Sequence, residues 1–253
     1  EIFKVEYWSL EQAKLKTLKR AKLTGNVTVI SGGCGAIGLA TAKEFINQGS
    51  EIVLLENNIV NVKNTPTNIL KAVSIVQCDV TNPVDIKKSI SKIVKMSGGI
   101  AIMVSNAGAA WQGEIGTVDE KVLKDSFNLN FYAHQHLSQE SIKIMLKQNT
   151  GGILLYNISK QSVNPGINFG PYGLPKASTL FLMRQYALEY GQYGIRANGI
   201  NADRIRSGIL NDNLISSRAR SRKVNKKDYM SGNLLKTEVL AEDVAKAFVT
   251  LVK

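Results

Sequence analysis

The chain has 253 residues and a formal net charge of +12, a length that fits one large α/β domain better than two full domains. With 44% hydrophobic and 21% charged residues, it can bury a core without disulfides or a structural metal. Its two cysteines, Cys34 and Cys78, exclude a disulfide scaffold and point to a reducing, cytoplasmic setting, and with no run of about 18 apolar residues and no signal peptide neither a membrane span nor secretion is expected.

Residues 1–24 read as a polar, Lys-rich lead-in, with Leu10, Leu15 and Leu18 hinting at a short helix. From there strands and helices alternate. Residues 26–31 are a β-rich run between Gly25 and Gly32, and 36–47 carry helical periodicity with Ile37, Ala40 and Phe45 on one side. Strands are expected at 51–55 and 73–76. A helix over 83–96 opens with Asn82 as cap and Pro83 in its first turn. A buried strand follows at 101–105, then a long helix over 122–148, a strand at 152–158, a helix over 172–190 and a strand at 195–200. Residues 210–235 read as an irregular helical insertion. A last helix over 241–252 carries Glu242 and Asp243 in its first turn, where they favour the dipole. This alternation predicts a doubly wound parallel sheet with helices on both faces. Ligand is then expected beyond the carboxyl ends of the strands, where the strand order reverses.

The charge is local. Residues 204–227 hold eight basic residues against Asp212 alone, and residues 1–22 hold six against three acidic. Without aromatic interleaving or a nucleic-acid motif, these are read as solvated segments, and no nucleic-acid partner is expected. A patch that attracts an anionic substrate or partner is the alternative.

The first strand runs into Ser31-Gly32-Gly33-Cys34-Gly35-Ala36-Ile37-Gly38 as a helix begins. Glycines there let the backbone approach a pyrophosphate, and the helix N-terminus offers free N–H groups. A tight structural turn is the competing reading. Glu56, at the end of the second strand, is placed to accept from ribose hydroxyls and to repel a 2′-phosphate, favouring NAD over NADP; a surface glutamate is the alternative. Asp79 is placed either to contact adenine or to cap a turn. Tyr172 and Lys176, four apart at the start of a helix, share one face. An ammonium near a phenol lowers its pKa toward working pH. With Ser159 at the end of a strand, they form a base, a base-tuner and a donor to the reacting oxygen. His134 and His136 lack ligand spacing and are read as packing or interface residues, and no metal is expected.

In combination, the glycine-rich turn, Asp79-Val80, Asn106-Ala107-Gly108, Asn130, Ser159 and Tyr172-x-x-x-Lys176 resemble the short-chain dehydrogenase/reductase family across residues 25–253. The resemblance implies a Rossmann-like fold. It implies that Tyr172 is the acid/base, that Ser159 orients the transition-state oxygen, and that Lys176 binds the nicotinamide ribose. Asn130 would hold a water in a proton relay through Lys176. Ser31, Gly32, Gly35, Ala36, Ile37, Gly38, Glu56, Asp79, Val80, Asn106, Ala107, Gly108 and Ser207 would form the NAD site, Ser207 reaching the carboxamide. Two departures stand out: Ala36 where the family usually has Gly, and Ala202-Asp203 where it usually has Pro-Gly.

Residues 3–15, 159–166 and 201–208 are further similar to a bifunctional family that joins a class II aldolase, assigned to rhamnulose 1-phosphate, to a dehydrogenase assigned to L-lactaldehyde. On that resemblance residues 1–24 are a linker after an aldolase domain, and 25–253 are the dehydrogenase with a substrate lid at about 208–236. The substrate would be a small hydroxy-aldehyde, with a polyol or sugar phosphate as the rival; a cofactor-binding module without turnover is the reading of another class. Arg204, Arg206, Arg218 and Arg220 are candidates to meet an anionic group, against a solvent-facing alternative. That family usually adds a strand ending in Asp-Gly-Gly after the last helix, and this chain stops at Lys253, so that edge strand is expected to be absent. A homodimer or homotetramer is expected, with Phe127, Phe131, Phe181 and Tyr186 candidates for its apolar face or for the core.

Overall fold

The computed structural model describes residues 21–252, so the helix hinted at by Leu10, Leu15 and Leu18 lies outside the described residues. Six strands form one parallel sheet: β1 (Val27–Ser31), β2 (Glu51–Glu56), β3 (Val73–Gln77), β4 (Ile102–Ser105), β5 (Gly152–Asn157) and β6 (Ile195–Ile200). Their order is β3-β2-β1-β4-β5-β6, so the chain winds one way from β1 and then the other from β4. The crevice between β1 and β4 is the switch point.

The side-chain alternation of a strand explains the two cores. Val29, Val53, Met103 and Leu154 face one layer, while Ile30, Leu54, Val104 and Leu155 face the other. The first layer is closed by α4 (Pro83–Ser97), α6 (Ala133–Gln148) and α7 (Gly170–Tyr190), and the second by α1 (Ala36–Asn47) and α10 (Ala241–Val252). Central strands must then be apolar on both sides, and all residues of β1 and β4 are buried. The α4 boundaries follow the sequence signals. The Asn82 side chain accepts from the Val84 and Asp85 N–H groups, and Gly98 ends the helix in the left-handed region at φ 79°.

Four regions differ from the sequence expectation. Two short helices, α2 (Ile59–Lys63) and α3 (Thr67–Leu70), fill the β2–β3 connection; each is too short to show a period. The long helix begins two residues early as α5 (Glu120–Phe127) and opens into a π-helical turn, Asn128–Tyr132, before α6. α7 starts at Gly170, two residues before Tyr172. The insertion contains two ordered helices, α8 (Asp212–Ser221) and α9 (Lys226–Met230), folded on a small core of Ile215, Ala219, Tyr229 and Met230. No helix among the described residues is long and apolar enough to cross a membrane.

Candidate active site

Beyond the carboxyl ends of β1, β2 and β4 lies a cavity of about 540 Å³. The glycine-rich turn forms its floor. Gly32 has φ +59°, and a Cβ on it would stand 3.0 Å from the Ala107 Cα, so an L side chain there is strained by its backbone and crowded by its neighbour. Gly35 caps α1 with no side-chain bond, and no acidic residue sits in the first turn of that helix. Its N–H groups are therefore left to an anion. Ala36, Ile37, Gly35 and Gly32 all line the cavity. Ser31 and Gly38 lie behind its wall. The Ser31 hydroxyl accepts from the Asn106 and Ala107 N–H groups, and a Cβ on Gly38 would stand 2.5 Å from the Gly32 carbonyl oxygen. Their part is to hold the turn against β4 and α1.

Glu56 is buried at the cavity edge. One carboxylate oxygen accepts from the Cys34 N–H, and the other from the Asn57 and Asn58 N–H groups. It is no solvated surface residue, since it ties the turn to the end of β2. Asp79 lines the same cavity, and its carboxylate accepts from both the N–H and the hydroxyl of Thr81, so the turn-capping role is made. Val80, Asn106, Ala107, Gly108 and Ser207 complete the lining. A glycine-rich cradle with the left-handed Gly32 at its turn, a helix N-terminus without a capping side chain and a carboxylate at the rim fit a dinucleotide; Glu56 would hold its ribose, and Asn106 to Gly108 its nicotinamide half.

A second cavity of about 150 Å³ opens under α8 and holds Ser159 and Tyr172. The two cavities share Ile37, Asn157, Ser207 and Ile209, so a group in one abuts a group in the other. Burial pushes the Tyr172 phenol up, and a hydrogen bond with Ser159 works the other way. The Ser159 hydroxyl also accepts from the Gln161 N–H at 3.2 Å.

Lys176 is 2% exposed, and burial pulls its ammonium down to about 7. Its Nζ donates to the Asn157 carbonyl at 2.9 Å and stands 3.5 Å from His134 Nε2 and 5.9 Å from the Tyr172 ring centre. The expectation that Lys176 lowers the Tyr172 pKa is corrected here. Desolvation dominates both groups, and a lysine titrating near neutrality lends only part of a charge to its neighbour. His134 is buried in contact with this lysine rather than simply packed, and burial holds it well below its usual value. Its Nδ1 is 2.7 Å from the Ser105 hydroxyl. Asn130 is fully buried in the π-helical turn. Its side-chain amide donates to the Ala109 carbonyl and the Ser126 hydroxyl, and its main-chain carbonyl accepts from the Thr179 hydroxyl. It lies beside Lys176, because a Cβ on Gly108 would stand 3.0 Å from Asn130 Oδ1 and 3.5 Å from Lys176 Nζ.

Sequence reasoning missed Asn157 and His134. The first binds Asn106 through its amide and Lys176 through its carbonyl; its place two residues before Ser159 was the available signal. The second had no local signal, because only packing of α6 against α7 reveals it. Asp203 is engaged by Lys160 at 3.1 Å and Arg204 at 3.5 Å. Arg206 pairs with Asp212 and Glu238 and lies outside both cavities, as does the exposed Arg220; Arg204, Arg218 and Arg222 line the second. Tyr186 belongs to the core, whereas Phe181 is 66% exposed. Among the described residues no three His, Cys, Asp or Glu side chains converge as a metal site.

This doubly wound sheet, with a dinucleotide-sized crevice beside a Ser, Tyr and Lys, has the arrangement of a nicotinamide-dependent oxidoreductase. A family model for short chain dehydrogenase matches residues 26–214, and the chain belongs to that family of oxidoreductases. It is 30% identical over 98% of its length to the uncharacterized oxidoreductase YuxG of Bacillus subtilis (strain 168), of which it spans 38%. It is 26% identical to (+)-borneol dehydrogenase 1 of Salvia officinalis, over 89% of this chain and 86% of that one. Its fold is similar to that of NAD+-bound xylitol dehydrogenase, with a TM-score of 0.84 at 21% identity over 92% and 94% of the two chains.

Proposed function

We propose that the protein oxidises a hydroxyl group, or reduces the matching carbonyl, of a small sugar-derived substrate, with Tyr172 as acid/base. The observation that carries this is the meeting of Ser159 and Tyr172 in one cavity with the buried Lys176 behind them. When bound, the nicotinamide cofactor supplies the hydride acceptor or donor. In oxidation, Tyr172 takes the hydroxyl proton and Ser159 donates to the oxygen as its charge develops, a contribution of about 3 kcal/mol for such donors. Lys176 and Asn130 hold the route by which that proton leaves. Glu56 makes NAD the preferred cofactor, because a 2′-phosphate would meet a buried carboxylate already bound to three N–H groups.

The resemblance to aldolase-linked dehydrogenases puts L-lactaldehyde first, with a polyol or sugar phosphate as the rival. YuxG carries a further stretch of chain outside the part spanned here, which supports linkage to another domain. An aldehyde would react as its hydrate: the gem-diol loses hydride from carbon and a proton to Tyr172, leaving the acid. In support, burial raises both thiols, Cys78 to about 11, so neither is a thiolate nucleophile near neutral pH. A homodimer or homotetramer is supported by Leu174, Phe181 and Leu188, exposed at seven-residue spacing along α7.

The test is reduction of NAD with L-lactaldehyde, polyols and sugar phosphates in turn. Turnover of any of them that disappears in Tyr172→Phe supports the reading. Full activity of Tyr172→Phe removes Tyr172 from the chemistry, and cofactor binding without any turnover makes the chain a binding module.

A further inference from the structure

We propose that Arg218 and Arg222 form an anion-binding subsite in the substrate cavity, so that the substrate carries a phosphate or carboxylate away from its reacting hydroxyl. This rests on the dehydrogenase reading and selects among its substrates.

The cavity under α8 is lined by Lys160, Arg204, Arg218 and Arg222 against a single carboxylate, Asp203. The four cations are not equivalent. Lys160 and Arg204 share Asp203, and Arg204 also donates to the Tyr229 carbonyl at 2.5 Å. Arg204 is held there in the left-handed region at φ +54°, a backbone cost that persists only where the surroundings impose it. Arg218 and Arg222 have no carboxylate within ion-pair distance among the described residues. They are four apart on α8 and its cap, with Leu214 one turn earlier, so one helical face points three side chains into the cavity.

Aromatic rings aim them. The Arg218 guanidinium lies 4.3 Å from the Phe169 ring centre, and Phe169 packs edge-on against Tyr172. Arg222 and Arg204 stand over the Tyr229 ring at 5.1 and 4.9 Å. Stacking orients a guanidinium and leaves its N–H edge free to donate. That edge is unused at one point: the Nε of Arg218 is buried and has no hydrogen-bond partner. A buried charged donor without an acceptor is costly, and two guanidiniums on one ring repel. One oxyanion accepting from Arg218 and Arg222 relieves both, and a guanidinium fork suits phosphate or carboxylate oxygens.

The experiment uses the full chain with NAD and matched substrates: glycerol against glycerol 3-phosphate, xylitol against xylitol 5-phosphate, and butane-1,3-diol against 3-hydroxybutyrate. The anionic member is expected to be preferred in kcat/KM, the phosphate and carboxylate arms showing which oxyanion fits. In Arg218→Gln that preference should fall about 10- to 100-fold, the worth of a charged hydrogen bond, while Arg220→Gln, exposed on another face, keeps it. Calorimetric titration with inorganic phosphate and with acetate reads the subsite without turnover. Binding to wild type that is lost in Arg218→Gln, with melting temperature retained, supports it even if every substrate is refused and the dehydrogenase reading falls. Equal kcat/KM within each pair, or phosphate and acetate heats unchanged by Arg218→Gln, overturns the proposal.

Discussion

The two cavities differ in how their polar groups are occupied. Around the larger one, Glu56, Asp79, Asn106 and the Ser31 hydroxyl all spend hydrogen bonds inside the protein, so its shape is fixed before any ligand arrives. Under α8, Arg218 and the exposed Arg222 stack on rings, and the buried Nε of Arg218 has no acceptor. The first region is preorganised by backbone; the second is a charged surface that waits for an acceptor. Binding a common cofactor calls for the former. Choosing a substrate calls for the latter, because an unmet buried donor penalises every ligand that lacks the right acceptor.

The largest effect should come where the regions meet. Tyr172→Phe is expected to lower kcat by about 10²- to 10⁴-fold, read by steady-state rates with thermal melting as the folding control. Retention of activity would mean that the meeting point is not the reacting centre.

Next is the buried Lys176. In the unfolded chain it keeps its proton up to its ordinary value of 10.5, but in the folded protein only to about 7. Across that window the unfolded state binds more protons, so stability rises with pH from about 7 to 10.5, on the order of a few kcal/mol. His134, also lowered by burial, adds a rise as pH climbs to 6.5. Urea midpoints of wild type at pH 7 and 8.5, below the range where the raised Cys78 thiol and Tyr172 phenol begin to favour the unfolded state, should show the increase, and Lys176→Met should remove it. A wild type with flat midpoints would place this lysine in water.

A backbone contrast follows. Gly38→Ala pushes a Cβ into the Gly32 and Gly33 carbonyls and should cost about 1–3 kcal/mol. Gly208→Ala, with nothing within 4 Å of its Cβ, should stay within about 0.5 kcal/mol. Denaturant midpoints of the pair compare the packed turn with the open lid directly.

The smallest effect is expected from Arg206→Ala. Its partners Asp212 and Glu238 lie at or near the surface with it, where solvent screens ion pairs and little stability rests on them. KM should not move. A large rise would return Arg206 to the substrate site.

The β1 turn was legible because its glycines, the strand before it and the helix after it are contiguous. The Tyr172–Lys176 pair was legible because helical spacing alone puts both on one face. The partners of Lys176 were not, since Asn157 and His134 lie 19 and 42 residues away along the chain. The arginines show the same limit. Composition found the basic stretch at 204–227, yet it could not tell the paired Arg206 from the unpaired Arg218, and it passed over Arg222.

Local sequence thus determined the alternation of strands and helices, the parallel sheet they imply, the glycine-rich turn and the Ser, Tyr and Lys, since each depends on periodicity or short-range spacing. Tertiary structure decided which charges are neutralised, which donors remain unspent and how far burial shifts Lys176 and Tyr172. Those depend on distance and dielectric between segments far apart in sequence, and no local pattern encodes them.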